Sequence, residues 1–144
     1  ETVDMSANGE RLRFLREPAG ITMDTNDIEV VDFNALAGID VITVNDLTGT
    51  DVTKTNLDLA STLGGSAADA ADDIVFVNGT NGDDSIDITG NGSGVDVTGL
   101  ATAVSVKHPN LADLLAVDTR TGTDNVTPTG VAGVLQVRVD GVAV

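Results

Sequence analysis

Cysteine, tryptophan and tyrosine are absent from all 144 residues, and the chain carries one His, three Phe and three Pro. The lack of Cys excludes a disulfide framework and any thiol chemistry, but leaves the compartment open. Basic residues are almost as scarce. Seven Lys and Arg stand against 23 Asp and Glu, a net charge of −16. Nucleic-acid binding draws on clustered Lys and Arg, so that class is excluded, and an anionic membrane surface would repel the chain. No apolar run reaches the roughly 20 residues of a membrane-spanning helix. No charged segment followed by an apolar stretch opens the sequence. A start at Glu1 reads as a mature unit or an excised fragment of a longer chain, and either is compatible with secretion.

What is present is a fair supply of small aliphatic side chains. Apolar residues make up 41 % of the chain, mostly Val, Ile, Leu and Ala. That suffices for one domain, residues 1–144, with its own core. Short β-branched runs recur at Leu12 to Leu15, Ile28 to Phe33, Val41 to Val44, Asn56 to Leu59, Ile74 to Val77, Ser85 to Ile88, Val95 to Val97, Val104 to Val106, Leu114 to Val117 and Leu135 to Val139. Gly, Asn, Asp or Thr bounds nearly all of them, as expected for strands joined by tight turns. The Ala-rich stretch Ser66 to Ala71 is too short to sustain a helix and reads as a loop.

A fourteen-position pattern, D-x-[IVL]-x-V-[ND]-x-x-x-G-x-D-x-[TIV], occurs three times. The first copy runs from Asp40 through Ile42, Val44, Asn45, Gly49 and Asp51 to Thr53. The second runs from Asp73 through Val75, Val77, Asn78, Gly82 and Asp84 to Ile86, and the third from Asp113 through Leu115, Val117, Asp118, Gly122 and Asp124 to Val126. Each copy alternates apolar and polar positions, turns at Gly and Asp, and resumes as strand. The copies begin 33 and 40 residues apart, which predicts two coils of roughly twenty residues between them. The expected fold is therefore all-β, a parallel β-helix or β-solenoid with aliphatic side chains stacked in interior ladders. A Greek-key β-sandwich is the alternative, since it also shows short strands at regular spacing.

The segment Ala71 to Gly99, ADDIVFVNGTNGDDSIDITGNGSGVDVTG, with Leu100 to Val106 and the third pattern copy, resembles the strand-rich region adjoining the calcium-binding repeats of secreted RTX (hemolysin-type) bacterial proteins. The stretch Arg11 to Ala60 is similar to that region in its order of strands and turns. The resemblance implies a β-roll or β-helix, export from the cell, and Ca²⁺ as the ion. The sequence departs from the RTX nonapeptide G-G-x-G-x-D-x-U-x, which stacks in tandem copies. Only Gly79 to Asp87, GTNGDDSID, approaches it, with Thr80 at the second Gly, and no tandem array follows.

Hard cations need several oxygen ligands, so Asp83, Asp84 and Asp87 are candidate Ca²⁺ ligands if a neighbouring coil supplies another oxygen. Asp51 and Asp124 occupy the equivalent corner in the other two copies. The alternative for all five is a solvated turn residue that hydrogen-bonds backbone at the corner. Asp72 and Asp73 precede a strand and read as charges that disfavour edge pairing. His108 has no second His or Cys to share a metal with and reads as a surface turn residue. Arg11, Arg13 and Arg16 alternate with apolar residues and read as a solvated strand face.

These features point to a non-catalytic structural segment of a secreted protein: a rigid spacer, adhesin or surface-layer component at the cell surface or in a matrix. A homo-oligomer or filament stacked through β-edges is the second expectation. A glycan-active β-helix enzyme is the third and weakest, because sugar binding favours aromatic platforms and this chain has no Trp or Tyr.

Overall fold

The computed structural model describes residues 1–144 and contains no helix, hence none long and apolar enough to cross a membrane. In chain order the strands are β1 (Thr2–Asn8), β2 (Arg11–Glu17), β3 (Ile21–Thr25), β4 (Val30–Asn34) and β5 (Val41–Val44). They continue with β6 (Lys54–Asp58), β7 (Ile74–Asn78), β8 (Ser85–Asn91), β9 (Gly94–Thr98) and β10 (Ala103–Lys107). The last four are β11 (Leu114–Asp118), β12 (Asn125–Thr129), β13 (Gln136–Val139) and β14 (Val142–Ala143). They form two mixed sheets, one in the order β14-β13-β11-β7-β5-β1-β2-β3 and the other in the order β12-β8-β9-β10-β6-β4. The protein is thus all-β.

Between β3 and β8 the chain crosses from one sheet to the other at every strand, and it does so again from β10 to β13. Strands reached on successive crossings lie parallel: β1 on β5, β5 on β7, β7 on β11 and β11 on β13 in the first sheet. The register is exact in side-chain type. Val3, Ile42, Val75, Leu115 and Val137 form one row across the first sheet, and Met5, Val44, Val77, Val117 and Val139 form the next. In the second sheet Phe33, Leu57, Val106 and Val95 align in the same way. Side chains alternate between faces with period two, so the central strands bury every second residue, a Val, Ile or Leu, and turn the intervening ones outward. The inner faces of both sheets feed one core cluster of 24 residues.

Successive copies are not separated by the two coils that their spacing predicts. Copies of the pattern are immediate neighbours in the first sheet, with Ile42 beside Val75 and Val75 beside Leu115. Between successive copies the chain therefore makes one circuit of 33 or 40 residues rather than two coils of about twenty, while β4 to β6 and β11 to β13 are spaced by 24 and 22 residues. The excess length has visible causes. In the shorter circuit the Ala-rich stretch bulges out as a loop, tied back by the bridge between Ala60 and Ala68, by the Gly38 N–H on Asp69 and by the Asn110 side-chain amide on the Ala71 carbonyl. In the longer one β8 turns back through antiparallel β9 to β10, inserting two extra strands in the second sheet.

Four strands lie outside the β-branched runs of the sequence, β1, β3, β12 and β14, although the third pattern copy reaches β12 at Val126. β1, β3 and β12 mix polar or charged residues into a short run, as in TVDMSAN and NVTPT, so that the β-branched signal is diluted, and β14 is only two residues long. They are strands because a neighbour supplies backbone partners, as β8 does for β12 along its five residues.

Ile42 is fully buried in the middle of its row. Ile42→Ala is expected to cost about 3 kcal/mol, the usual range for an aliphatic side chain cut back in a core. Phe76→Ala on the outer face of the same sheet, where Phe76 is 37 % exposed, is expected to cost under about 1 kcal/mol. Urea unfolding of the two variants checks the contrast.

Candidate functional site

Two corners join the sheets, and the pattern places an aspartate at each. At the first corner Asp40, Asp73 and Asp113 immediately precede β5, β7 and β11, and because those strands are in register the three side chains stack in a column. All are at most 2 % exposed. The backbone N–H of Asp40 donates to Asp73 Oδ1 at 2.9 Å, and that of Asp73 donates to Asp113 Oδ1 at 3.0 Å. At one end of the column the amino group of Glu1 donates to Asp40 Oδ1 at 2.7 Å. At the other end Leu135 takes the position and offers no carboxylate, so the Asp113 N–H turns to Asn110 O at 3.2 Å.

These bonds explain why the pattern opens on Asp. A corner between parallel strands leaves a backbone N–H with no strand partner, and a carboxylate from the next circuit is the acceptor that reaches it. Asp73, expected from its place before a strand to disfavour edge pairing, is instead a buried acceptor. The usable signal was the identity of the first position in all three copies.

Satisfaction of the carboxylates is uneven. Asp113 accepts further bonds from the Asn110 backbone N–H at 2.7 Å and the Asn110 side-chain amide at 2.9 Å. Asp40 Oδ2 and Asp73 Oδ2 are buried without any partner. Burial raises all three carboxyls above the ordinary range, against the lowering effect of the hydrogen bonds they accept. Asp73 is pushed up to about 6, first by burial and then by the charges of Asp113, Asp40 and Asp69.

The second corner holds the predicted cation ligands, and the structure brings only some of them together. Asp84 Oδ2 accepts the Thr80 N–H at 2.8 Å and its Oδ1 accepts the Thr80 hydroxyl at 2.9 Å. The Asp84 N–H donates to Asp124 Oδ1 at 2.9 Å, repeating the rule of the first corner. Asp83 Oδ1 accepts the Thr123 N–H at 2.7 Å. Asp83, Asp84 and Asp124 therefore stack as one two-layer corner. Asp51 and Asp87 lie apart from it and are exposed, Asp87 on the outer face of β8. Asp51 is separated because β9 and β10 stand between β6, which follows it, and β8. No group of three or more acidic or imidazole side chains is close enough together to hold a metal ion. The glycine of this corner is there for space: Gly122 has φ +147°, and a Cβ on it would stand 2.4 Å from the carbonyl oxygen of Gly82 in the layer below.

Two further features were not legible in the sequence. His108 is half-buried, its Nδ1 2.8 Å from Asp58 Oδ1, a partner 50 residues away that no local motif announces. His108 borders a polar cavity of about 310 Å³ together with Ser66, Asn91 and Ser93. The other feature is an apolar cleft of about 450 Å³ between β3 and β4, the last strands of the two sheets at one end. Leu12, Phe14, Met23, Val30 and Phe33 line it, and the Phe14 and Phe33 rings meet there at 6.1 Å. Of the arginine strand, Arg11 pairs with Asp24 and Arg16 with the Glu1 carboxylate.

No protein-family model matches the chain, and neither a curated protein nor a solved structure does. Asp124→Ala strands the N–H of Asp84 and is expected to destabilise the protein by about 1–2 kcal/mol. Asp51→Ala, at a corner with no layer stacked on its aspartate, is expected to stay within about 0.5 kcal/mol of wild type. Guanidinium unfolding of both variants measures the difference between two residues that the pattern makes equivalent.

Proposed function

We propose that this chain is a non-catalytic, rigid β-solenoid segment of a secreted RTX-like protein, serving as a spacer, adhesin or surface-layer component. The observation that carries the reading is the repetition of one strand-corner unit in register, with the same residue type above itself in the core rows and in the Asp40, Asp73 and Asp113 column. A stack of that kind transmits force along its length through parallel backbone ladders and needs no cofactor to keep its shape. The acidic surface, −16 overall, suits a soluble exported protein.

Calcium enters this reading at the second corner. Asp83, Asp84 and Asp124 put carboxylates on two stacked layers but do not come close enough to hold an ion by themselves, so in this reading further layers complete the site. An ion bound at 100 times its dissociation constant stabilises the folded state by about 2.7 kcal/mol. Thermal melts in EDTA and in millimolar Ca²⁺ are therefore expected to differ by several degrees, the calcium sample melting higher. An unchanged midpoint removes calcium from the function.

A second reading, self-association through the end of the stack, is favoured by the contrast between the two ends. The edge strand β12 carries Pro128 and β14 has two residues, features that discourage strand addition. Edge strands β3 and β4 have neither, and Ile21, Met23 and Val30 are 39–47 % exposed beside the open cleft. A second copy of the chain, meeting the first end to end, covers this surface in that reading. Light scattering with and without Ca²⁺ is expected to show a concentration-dependent larger species that Val30→Lys abolishes. A monomer at high concentration in both conditions excludes it.

A further inference from the structure

We propose that the stacked carboxyls of Asp40, Asp73 and Asp113 form a proton-operated latch, in which proton uptake at Asp73 fastens the neighbouring circuits of the first sheet and proton release loosens them. The geometry sets up the device. Three like charges occupy one buried column, each following its neighbour by a single strand step. The ladder bonds use Oδ1 of each residue, so Oδ2 is the oxygen left to receive a proton, and on Asp40 and Asp73 it has no partner. A proton on Asp73 Oδ2 removes the central charge of the column and leaves the bond from the Asp40 N–H in place.

The surroundings give the anions little relief. From the residue before β1 the amino group of Glu1 reaches Asp40 alone of the three carboxylates, and the Glu1 carboxylate is taken up by Arg16 of β2. From the loop before β7, Asp69 and Asp72 add negative charge. The loop before β11 contributes Asn110, which is neutral and bonds Asp113 alone within the column. On the far side Leu135 and Gln136 bring no charge. No Lys or Arg pairs with any of the three carboxylates. Asp73, in the middle, has neither the amino group that serves Asp40 nor the amide that serves Asp113.

The direction of the effect follows from linkage. A carboxyl that holds its proton up to about pH 6 when folded, against 3.8 when unfolded, binds that proton about a hundredfold more tightly in the folded chain. The folded state binds more protons than the unfolded state between those values, so stability falls as pH rises from about 4 to 6 and stays low above that. This is the reverse of ordinary acid denaturation, in which paired carboxylates lose stability on protonation.

The test is a series of thermal melts from pH 5.0 to 7.5 in EDTA at constant ionic strength, which keeps cations out of the column. Wild type and Asp73→Asn are compared, the amide standing in for the protonated carboxyl. The wild-type midpoint is expected to drop on the order of 5 °C across the range. Asp73→Asn is expected to melt above wild type at pH 7.5 and to converge with it at pH 5. Any contribution from His108 cancels in the comparison. Carboxyl carbon NMR of the wild-type protein supplies a reading that does not depend on the variant folding: the Asp73 resonance is expected to titrate near pH 6. A wild-type midpoint that is flat or rises with pH, a variant with the wild-type slope, or an Asp73 resonance titrating near pH 4 overturns the proposal.

Discussion

In-register parallel pairing in the first sheet is the constraint from which the rest of this structure follows. When β5 lies on β7 and β7 on β11 without slippage, every side chain sits above its counterpart one circuit away. Inward positions then become rows of aliphatic residues, whose packing improves with likeness. A slip by one residue would turn Ile42 and Val75 to solvent and bring Thr43 and Phe76 inside, so burial itself holds the register.

The same alignment imposes a cost at the corners. Backbone groups that leave a strand still require partners, and stacking places the solution in the next layer: Asp73 caps the N–H of Asp40, Asp113 that of Asp73, and Asp124 that of Asp84. Asparagines continue the theme where the strands end, with the Asn78 amide on Asn45 and the Asn45 amide on Asp4. Acidic composition is thus partly structural. At the first corner, however, stacking also places like charges one above another in a dry environment. The tension between hydrogen-bond supply and charge repulsion is concentrated on Asp73.

The two sheets differ in their regularity for a topological reason. The first sheet takes one new strand per crossing from β5 to β13, whereas the second accommodates the β8-β9-β10 excursion. That insertion separates corners which the pattern makes look alike. Asp84 and Asp124 are stacked, and Asp51 is left with no partner layer. The Gly-x-Asp motif names a corner and carries no information about what stands above it.

The sequence by itself determined the all-β character, the inward face of each strand and the residues at the turns, since period-two alternation and Gly or Asp at corners are local properties. Ten of the strands were legible for that reason, and the three with diluted patterns and the two-residue β14 were not. Tertiary structure alone decided which strand lies beside which, that a circuit spans a whole repeat, and that β9 and β10 divide the second sheet. It also decided that Asp73 is buried and that His108 meets Asp58. Periodicity specifies a face and is silent about the neighbour on that face, because pairing partners 33 to 50 residues apart are selected by the packing of the whole core. For the acidic residues this distinction is decisive: Asp51 and Asp84 hold the same position of the pattern, and only the layer above each makes it a solvated turn or part of a stacked corner.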